Sequence, residues 1–307
     1  LEEAFAVARD GVPGPVFVEC PVDLLYPERV VRGWYASKAG TPKGLVAKAT
    51  RWYLDRHLDA LFTGVDGVDA RGPASAPPPP PEAGSVGTAA LLLGRGERPV
   101  ALLGSGALLD PAGAGALARA VAELGLPVYL SGMARGLLGP ASLLQCRHRR
   151  TDTLREADLV LLAGVPCDFR LDYGRQIRPD AVVISANRDS AARALNRRPT
   201  LGVGGDPGLF LRALADAVPG GFPRPEWLAR LRERDATRGA EISAAPDGAR
   251  GALDPVALCR SLEEALPEDG LVVADGGDFV ATASYVLRPR APLSWLDPGV
   301  FGTLGVG

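Results

Sequence analysis

Apolar and polar positions follow a helical period over residues 1–10, and the glycine- and proline-rich run 11–15 ends that pattern. Residues 16–20, Val-Phe-Val-Glu-Cys, are rich in β-branched and apolar side chains, which predicts a buried strand. A proline follows this run, and the step from Pro27 to Glu28 is expected to interrupt regular structure. Residues 1–27 are therefore predicted to be the last helix and strand of a larger α/β domain.

The next part of the chain combines one amphipathic pattern with a proline-rich run. Over residues 45–62 the large apolar side chains share one helical face, which predicts a helix. Five consecutive prolines at Pro77–Pro81 exclude a helix interior or a central strand and favour polyproline II. Residues 64–84 are thus expected to form an exposed linker, so residues 28–85 are predicted to be a linker with one helix.

From about residue 86, short apolar runs alternate with helical patterns. The predicted strands are 99–104, 127–130, 158–163 and 181–185, and the predicted helices are 111–124, 151–157 and 207–217. Apolar strands separated by helices indicate a parallel sheet covered on both faces. The sequence therefore predicts one complete Rossmann-like α/β domain over residues 86–218.

The C-terminal third begins with a charged helical pattern at 225–243, within a connection that spans residues 219–253. Asp254 and Pro255 are typical of a helix N-terminus, and the helix is expected to reach residue 266. An apolar strand at 271–274 then runs into a glycine pair and a short helix. Residues 254–307 are predicted to be the truncated start of a third α/β domain.

Composition narrows the classes of partner and chemistry. The 307 residues contain 34 basic and 36 acidic side chains, a balance that does not favour binding to nucleic acid. Four cysteines without a CxxC pair indicate reduced, mostly buried thiols, and two histidines leave few bases for a catalytic triad. No apolar run is long enough for a membrane helix, and no signal peptide is recognisable. An initial leucine and a glycine-rich end suggest that the chain is an internal fragment.

Two groups of residues in the middle domain are candidates for binding a nucleotide or acyl-CoA. Gly104 and Gly106 follow a predicted strand, where glycines let phosphate approach backbone amides, but Leu109 replaces the third glycine of the dinucleotide fingerprint. The alternative is a tight turn without a ligand. Arg135, Arg170 and Arg175 follow other strands and could bind phosphate or carboxylate. The alternative for them is surface or interdomain ion pairing.

Two glycine-containing motifs lie near the C-terminus. Residues 275–278, Asp-Gly-Gly-Asp, separate an apolar strand from a helix, an arrangement suited to a diphosphate because the helix dipole favours negative charge. About twenty residues later come the runs 295–299 and 301–307, whose glycines allow close approach of the backbone to a flat ligand. Each motif alone could be an ordinary turn, but their order is distinctive.

Together these motifs resemble thiamine-diphosphate (ThDP) enzymes of the acetolactate synthase-like family, and most closely its 2-hydroxyacyl-CoA lyase branch. The resemblance is carried by the runs GPVFVECPVDLLYP (14–27), GMARGLLG (132–139), CDFRLDYGR (167–175), DGGDFV (275–280) and WLDPGVFGTLGVG (295–307). It implies three α/β domains in the order pyrimidine-binding, middle and diphosphate-binding, where pyrimidine and diphosphate are the two ends of ThDP. Residues 1–27 and 254–307 would belong to the first and the third.

The resemblance also implies site residues. Gly277 and Asp278 would lie beside the diphosphate, and Gly302 would offer its carbonyl to the aminopyrimidine amine of ThDP. Leu304 would be the apolar wedge that forces the cofactor into its bent form, and Thr303 would also belong to the cofactor site. The catalytic glutamate would lie upstream of residue 1, and the Mg²⁺-binding motif would lie after residue 307, so the chain would contain no catalytic residue and no metal ligand. Some relatives bind FAD in the middle domain, but the broken fingerprint predicts no tightly held flavin.

For function, the resemblance implies a ThDP- and Mg²⁺-dependent lyase that cleaves 2-hydroxyacyl-CoA to formyl-CoA and an aldehyde one carbon shorter, as in fatty acid alpha-oxidation. The alternatives are a carboligase that makes acetolactate from pyruvate, a non-catalytic scaffold, and a free nucleotide-binding module. A homodimer or homotetramer is implied. So is attachment to the endoplasmic reticulum membrane through an N-terminal anchor outside this chain. The chain alone is expected to be inactive.

Overall fold

The computed structural model describes residues 1–39, 44–64, 76–244 and 253–305, and it divides into two compact units, Leu1–Pro77 and Pro78–Gly307. Most of the predicted linker between residues 64 and 84 lies outside the described residues.

The first unit is helical over its described residues. Its elements are α1 (Glu2–Arg9), a short 3-10 helix (Val22–Leu25), α2 (Glu28–Ala39) and α3 (Leu45–Phe62). Helices α2 and α3 pack through the buried side chains of Val31 and Leu58, and Arg32 of α2 donates to Asp59 of α3 at 2.7 Å. The predictions of helices at residues 1–10 and 45–62 are confirmed.

Two predictions for this unit are wrong. Residues 16–20 form no strand, and Phe17 is 90% exposed. A strand needs a neighbouring strand to complete its backbone hydrogen bonds, and none lies among the described residues of this unit. Helix α2 also begins directly after Pro27, where an interruption was expected. Proline is compatible with a position just before a helix, because the first amides of a helix have no intrahelical partner.

The second unit contains α4–α11 and β1–β8. In chain order these are α4 (Ser85–Arg95), β1 (Pro99–Leu103), α5 (Ala114–Leu124), β2 (Val128–Leu130), β3 (Gln145–Cys146), α6 (Arg150–Glu156), β4 (Leu159–Ala163), β5 (Val182–Asn187), α7 (Ser190–Ala194), β6 (Leu201–Gly204), α8 (Pro207–Ala217), α9 (Pro225–Ser243), α10 (Pro255–Ala265), β7 (Val272–Val273), α11 (Asp278–Val286) and β8 (Trp295–Leu296).

Six strands form one parallel sheet in the order β3-β2-β1-β4-β5-β6, which is the order of a doubly wound nucleotide-binding fold. Alternate residues of the central strands face opposite layers. Leu103 and Leu161 pack with α4, α5 and α8, whereas Val100 and Leu102 pack with α6 and α9. Trp227 of α9 completes the second layer and donates from Nε1 to the Pro99 carbonyl at 3.1 Å. The predicted Rossmann-like parallel sheet is confirmed.

The C-terminal part of this unit is a smaller α/β element. Strands β7 and β8 pair in parallel, with Val272 opposite Trp295. Helices α10 and α11 pack against them around Cys259, Ala283 and Trp295, which are all fully buried. Asp254 caps α10 by accepting from the amides of Val256 and Ala257, as the sequence predicts.

Candidate functional site

Two loops meet at the carboxyl ends of β7 and β8. The first glycine loop is Asp275–Asp278, and the second is Gly299–Gly305. The Gly305 amide donates to both carboxylate oxygens of Asp275, at 3.0 and 2.9 Å. A Cβ placed on Gly276 would lie 2.5 Å from the Gly302 carbonyl oxygen and 2.8 Å from that of Thr303. Loops that are about thirty residues apart in sequence are therefore in direct backbone contact, and Gly276 has to lack a side chain.

The first glycine loop leads into α11 without a side-chain cap. Gly277 is the N-cap residue, with φ 84° and ψ −166°, a conformation that is essentially restricted to glycine. Within the part of the chain that the structure describes, no side chain accepts from the first amides of the helix, so these donors and the positive end of the helix dipole are available to an anion. A Cβ on Gly277 would meet no atom within 4 Å, so the space beside this helix N-terminus is open.

The second glycine loop is exposed. A turn precedes it, in which Asp297 accepts from the Trp295 indole and from the Gly299 amide, both at 2.8 Å. Gly302 has φ 57° with open space around its Cα, and Leu304 is 77% exposed. A large apolar side chain is thus presented next to open backbone and an uncapped helix N-terminus. The five residues predicted to contact a cofactor, Gly277, Asp278, Gly302, Thr303 and Leu304, lie on these two adjacent loops.

Gly104 and Gly106 have a packing role in the structure. A Cβ on Gly104 would lie 2.7 Å from the Val165 side chain, and one on Gly106 would lie 2.8 Å from the Cα of Gly164. The loops after β1 and β4 therefore touch at the point where the strand order reverses. This close approach explains both glycines without a ligand.

The three candidate arginines are dispersed. Arg170 pairs with Asp168 at 2.7 Å, and Arg175 is exposed, 3.7 Å from Asp172. Arg135 turns toward the C-terminal element, where it donates to the Ser284 carbonyl at 3.0 Å and stacks over the Trp295 ring. Burial lowers its pKa to about 10, and Asp297 opposes that shift. Arg135 consequently connects the sheet domain to the element that carries the two glycine loops.

Sequence reasoning did not single out a group of basic residues near Arg135. Arg147, Arg149 and Arg150 follow β3, and Arg238 of α9 faces the same cleft. Three arginines in the four residues 147–150 were a visible signal. The sequence does not show that these three arginines converge with Arg135 and Arg238, because their convergence depends on how α9 and α11 pack.

The described residues, 1–39, 44–64, 76–244 and 253–305, contain neither a grouped set of metal ligands nor a helix suited to a membrane. In those ranges no three His, Cys, Asp or Glu side chains are grouped so that they could hold a metal ion. None of the helices within them combines the length and hydropathy needed to cross a bilayer. Cys146, Cys167 and Cys259 are buried, and Cys20 is exposed.

Comparison with known proteins identifies the family. Residues 86–214 match the family model described as the central domain of thiamine pyrophosphate enzymes. The whole chain is 44% identical to a 2-hydroxyacyl-CoA lyase 2 of Danio rerio and 43% identical to that of Homo sapiens, covering 50% and 49% of those proteins. An acetolactate synthase large subunit of Mycobacterium tuberculosis is 36% identical over 75% of the chain and 41% of that protein.

The chain thus spans about half the length of the curated relatives it matches. The family match covers the six-stranded parallel sheet, and the similarity to the lyases continues through both glycine loops. Residues 86–214 therefore belong to the thiamine pyrophosphate (ThDP) enzyme family as its central domain, and the chain is similar along its whole length to proteins named 2-hydroxyacyl-CoA lyase 2.

Proposed function

We propose that the full-length protein containing this chain is a ThDP- and Mg²⁺-dependent lyase that cleaves 2-hydroxyacyl-CoA to formyl-CoA and an aldehyde one carbon shorter, as in fatty acid alpha-oxidation. The observation that carries the proposal is similarity over the entire chain, at 39–44% identity, to proteins named 2-hydroxyacyl-CoA lyase 2. The match to the Mycobacterium synthase is weaker and covers 75% of the chain. Acetolactate synthesis is therefore the second candidate.

Within that protein, residues 1–27 would end the pyrimidine-binding domain and residues 254–307 would begin the diphosphate-binding domain. Residues 86–218 would be the middle domain, with the connections 28–85 and 219–253 on either side. The parallel pairing of β7 with β8 supports this division, because it places both glycine loops on one edge of a separate element. Two or four copies would assemble, and a membrane anchor outside residues 1–307 would hold the protein at the endoplasmic reticulum.

The two glycine loops fit half of a ThDP site. The uncapped amides at the start of α11, beside Gly277 and Asp278, would hold the diphosphate, since they are free donors at the positive end of the helix. Gly302 and Thr303 would offer backbone groups to the aminopyrimidine, and the exposed Leu304 would pack against the cofactor. When bound, ThDP supplies a nucleophilic carbon and an electron sink for breaking the carbon–carbon bond. As the family resemblance implies, the Mg²⁺-binding motif would follow residue 307 in the full-length protein.

Flavin is not expected to bind tightly in the middle domain. The contact of Gly104 and Gly106 with the loop after β4 supports this, because the close approach of these loops leaves little room where the strand order reverses. Arg170 and Arg175 remain candidates for contacting a nucleotide or acyl-CoA at the carboxyl edge of the sheet. Arg170 would first have to leave its 2.7 Å pair with Asp168.

A product assay tests the proposal. Full-length protein is incubated with a long-chain 2-hydroxyacyl-CoA, ThDP and Mg²⁺, with pyruvate as a parallel substrate, and the products are identified by mass spectrometry. We expect formyl-CoA and the shortened aldehyde, dependent on ThDP and reduced in Leu304→Ala. A protein that binds ThDP but leaves this substrate intact contradicts the lyase. Acetolactate from pyruvate would then favour the second candidate, and inactivity on both substrates would favour a non-catalytic scaffold.

A further inference from the structure

A cleft of about 590 Å³ lies beside the edge strand β3, where the start of α6 faces α9 and α11. Its lining contains five arginines and one aspartate, Asp152. We call it the arginine cleft and define it by Arg135, Arg147, Arg149, Arg150 and Arg238. It is separate from the loops after β1 and β4, and separate from the two glycine loops.

Three of the five arginines have neutral hydrogen-bond partners. Arg135 donates to the Ser284 carbonyl at 3.0 Å, Arg150 donates to the Arg170 carbonyl at 2.7 Å, and Arg147 donates to the Leu287 carbonyl. Among the described residues, none of these three guanidinium groups forms an ion pair with a carboxylate. Carbonyl oxygens satisfy donor hydrogens but leave the positive charge in place.

Three carboxylates offset only part of this charge: Asp152 lines the cleft, Asp235 lies near Arg147, and Glu241 pairs with two of the five arginines. Asp235 accepts from the backbone amides of Arg147 and His148, both at 2.6 Å. Glu156 pairs with two arginines of α9, Arg230 and Arg234. Arg149 and Arg238 share Glu241, at 3.7 and 2.7 Å. The cleft therefore keeps a surplus of positive charge.

The positively charged guanidinium groups of the cleft are partly buried. The Nε atoms of Arg135 and Arg150 are buried and have no hydrogen-bond partner. Burial lowers the pKa of Arg147 to about 10, so Arg147 stays charged at neutral pH, and burial also lowers the pKa of Arg150. Burying charge without a counter-charge is unfavourable, and unpaired donors add to that cost. Such a cluster is stabilised by an anion.

We propose that the arginine cleft binds a ligand that carries two or more phosphate groups. A phosphate ester carries about 1.5 to 2 negative charges near neutral pH, so a ligand with two such groups brings enough negative charge for the three arginines that have no carboxylate partner. Guanidinium forks bind phosphate oxygens through paired hydrogen bonds. The volume lies in the range of small-molecule sites, and Tyr129 and Tyr285 add aromatic surface to the lining. The inference does not depend on the lyase reaction.

Titration calorimetry tests the site with inorganic pyrophosphate as the probe. The protein is the full-length chain with saturating ThDP and fixed free Mg²⁺, so that the cofactor site is already filled. Arg149→Gln combined with Arg238→Gln removes two half-exposed rim arginines. We expect one site, with binding about tenfold weaker in this double variant. Arg155→Gln, an exposed arginine of α6 outside the cleft, is the matched control and should keep the original affinity.

Glu241→Gln should change the pyrophosphate affinity in the opposite direction. Removing the carboxylate that competes for Arg149 and Arg238 should tighten pyrophosphate binding several-fold. No detectable binding to the ThDP-loaded protein, or equal affinity in all variants, overturns the proposal.

Two further ligands distinguish the source of the phosphates. Coenzyme A that binds more tightly than pyrophosphate, and is weakened by the same double variant, identifies the phosphorylated end of the acyl-CoA. A nucleoside diphosphate that binds in place of coenzyme A identifies a free nucleotide. Pyrophosphate binding that persists in a protein without lyase activity would count against the proposed reaction and not against this site.

Discussion

Among single residues, Gly276 is the one whose side chain would collide with the backbone of the other glycine loop. Its Cα faces the carbonyl oxygens of Gly302 and Thr303, and both are backbone atoms that cannot rotate away. Gly276 does not have a positive φ, so alanine could adopt its backbone conformation without strain. Substitution there tests the contact between the loops and leaves local backbone preference nearly unchanged.

We predict that Gly276→Ala separates the two glycine loops. The free energy of unfolding should fall by about 1–3 kcal/mol, as expected for overpacking against backbone, and ThDP affinity in the full-length protein should fall with it. Gly94→Ala is the control, because Gly94 lies in α4 with nothing within 4 Å and alanine is the better helix former. Urea denaturation and a ThDP titration provide the readouts. Unchanged ThDP affinity in Gly276→Ala would contradict the role of this contact.

The environment of His148 leads to a pH-dependent prediction. Burial lowers the pKa of His148 below the ordinary value, and the nearby Arg147 acts in the same direction against Asp235. His148 therefore binds a proton more readily in the unfolded chain than in the folded one. As the pH falls below the pKa of His148 in the unfolded chain, protonation favours the unfolded state, and the stability present at higher pH is lost. We expect the free energy of unfolding to be lower near pH 5 than near pH 7.5. His148→Gln should reduce this difference, and a loss of equal size in that variant would contradict the prediction.

At the scale of elements, the sequence predicts the strands that consist of a continuous apolar run. Strands β1, β4 and β5 are buried on both faces, so their predicted positions agree with the structure within about two residues. The run at 16–20 has the same composition but no neighbouring strand among the described residues, and composition cannot supply one. Helix α4 was missed because Gly87 and Gly94 interrupt its pattern, and β3 was missed because two residues show no period.

A buried ion pair lies at the N-terminus of α8. Asp206 caps α8 through the Leu209 amide and pairs with Arg188, and both side chains are less than 10% exposed. Arg188→Met would leave the Asp206 charge buried without this partner. We predict a loss of about 3–5 kcal/mol in the free energy of unfolding.

The exposed pair of Arg178 and Asp180 provides the comparison for this prediction, with a contact of 2.6 Å and an aspartate that is 72% exposed. Arg178→Met should change stability by less than about 1 kcal/mol, because solvent screens the interaction. Urea denaturation of both variants measures the difference. Similar losses in the two would show that burial does not determine the contribution of the Arg188 pair.

For the whole molecule, the order of the motifs along the chain indicated the family, whereas each motif alone could have been an ordinary turn. The two glycine loops were recognisable from their sequence and order, but their contact arises from the parallel pairing of β7 with β8. The arginine cleft was not predicted, since β3, α9 and α11 are separated in sequence and meet only in the packed unit. Gly104 and Gly106 show the converse, because a motif typical of phosphate binding is accounted for by loop packing.

The first unit exposes large apolar side chains in the isolated chain. Phe17 is 90% exposed and Trp52 is 66% exposed, among many large apolar side chains on the surface of this unit. Exposed apolar patches of this kind mark surfaces that contact another partner. Residues beyond 1–307 of the full-length protein are expected to cover them. The isolated chain should therefore bind the dye ANS more strongly, per molecule, than the full-length protein does.

Phe17→Ser combined with Trp52→Gln should lower ANS fluorescence of the isolated chain. It should leave the unfolding transition of the second unit unchanged, because both positions lie in the first unit. Leu109→Ser removes a half-exposed apolar side chain from the second unit and should have a smaller effect on ANS fluorescence. Equal dye binding by the isolated chain and the full-length protein would contradict coverage of this surface. The first unit would then expose the same side chains in the full-length protein.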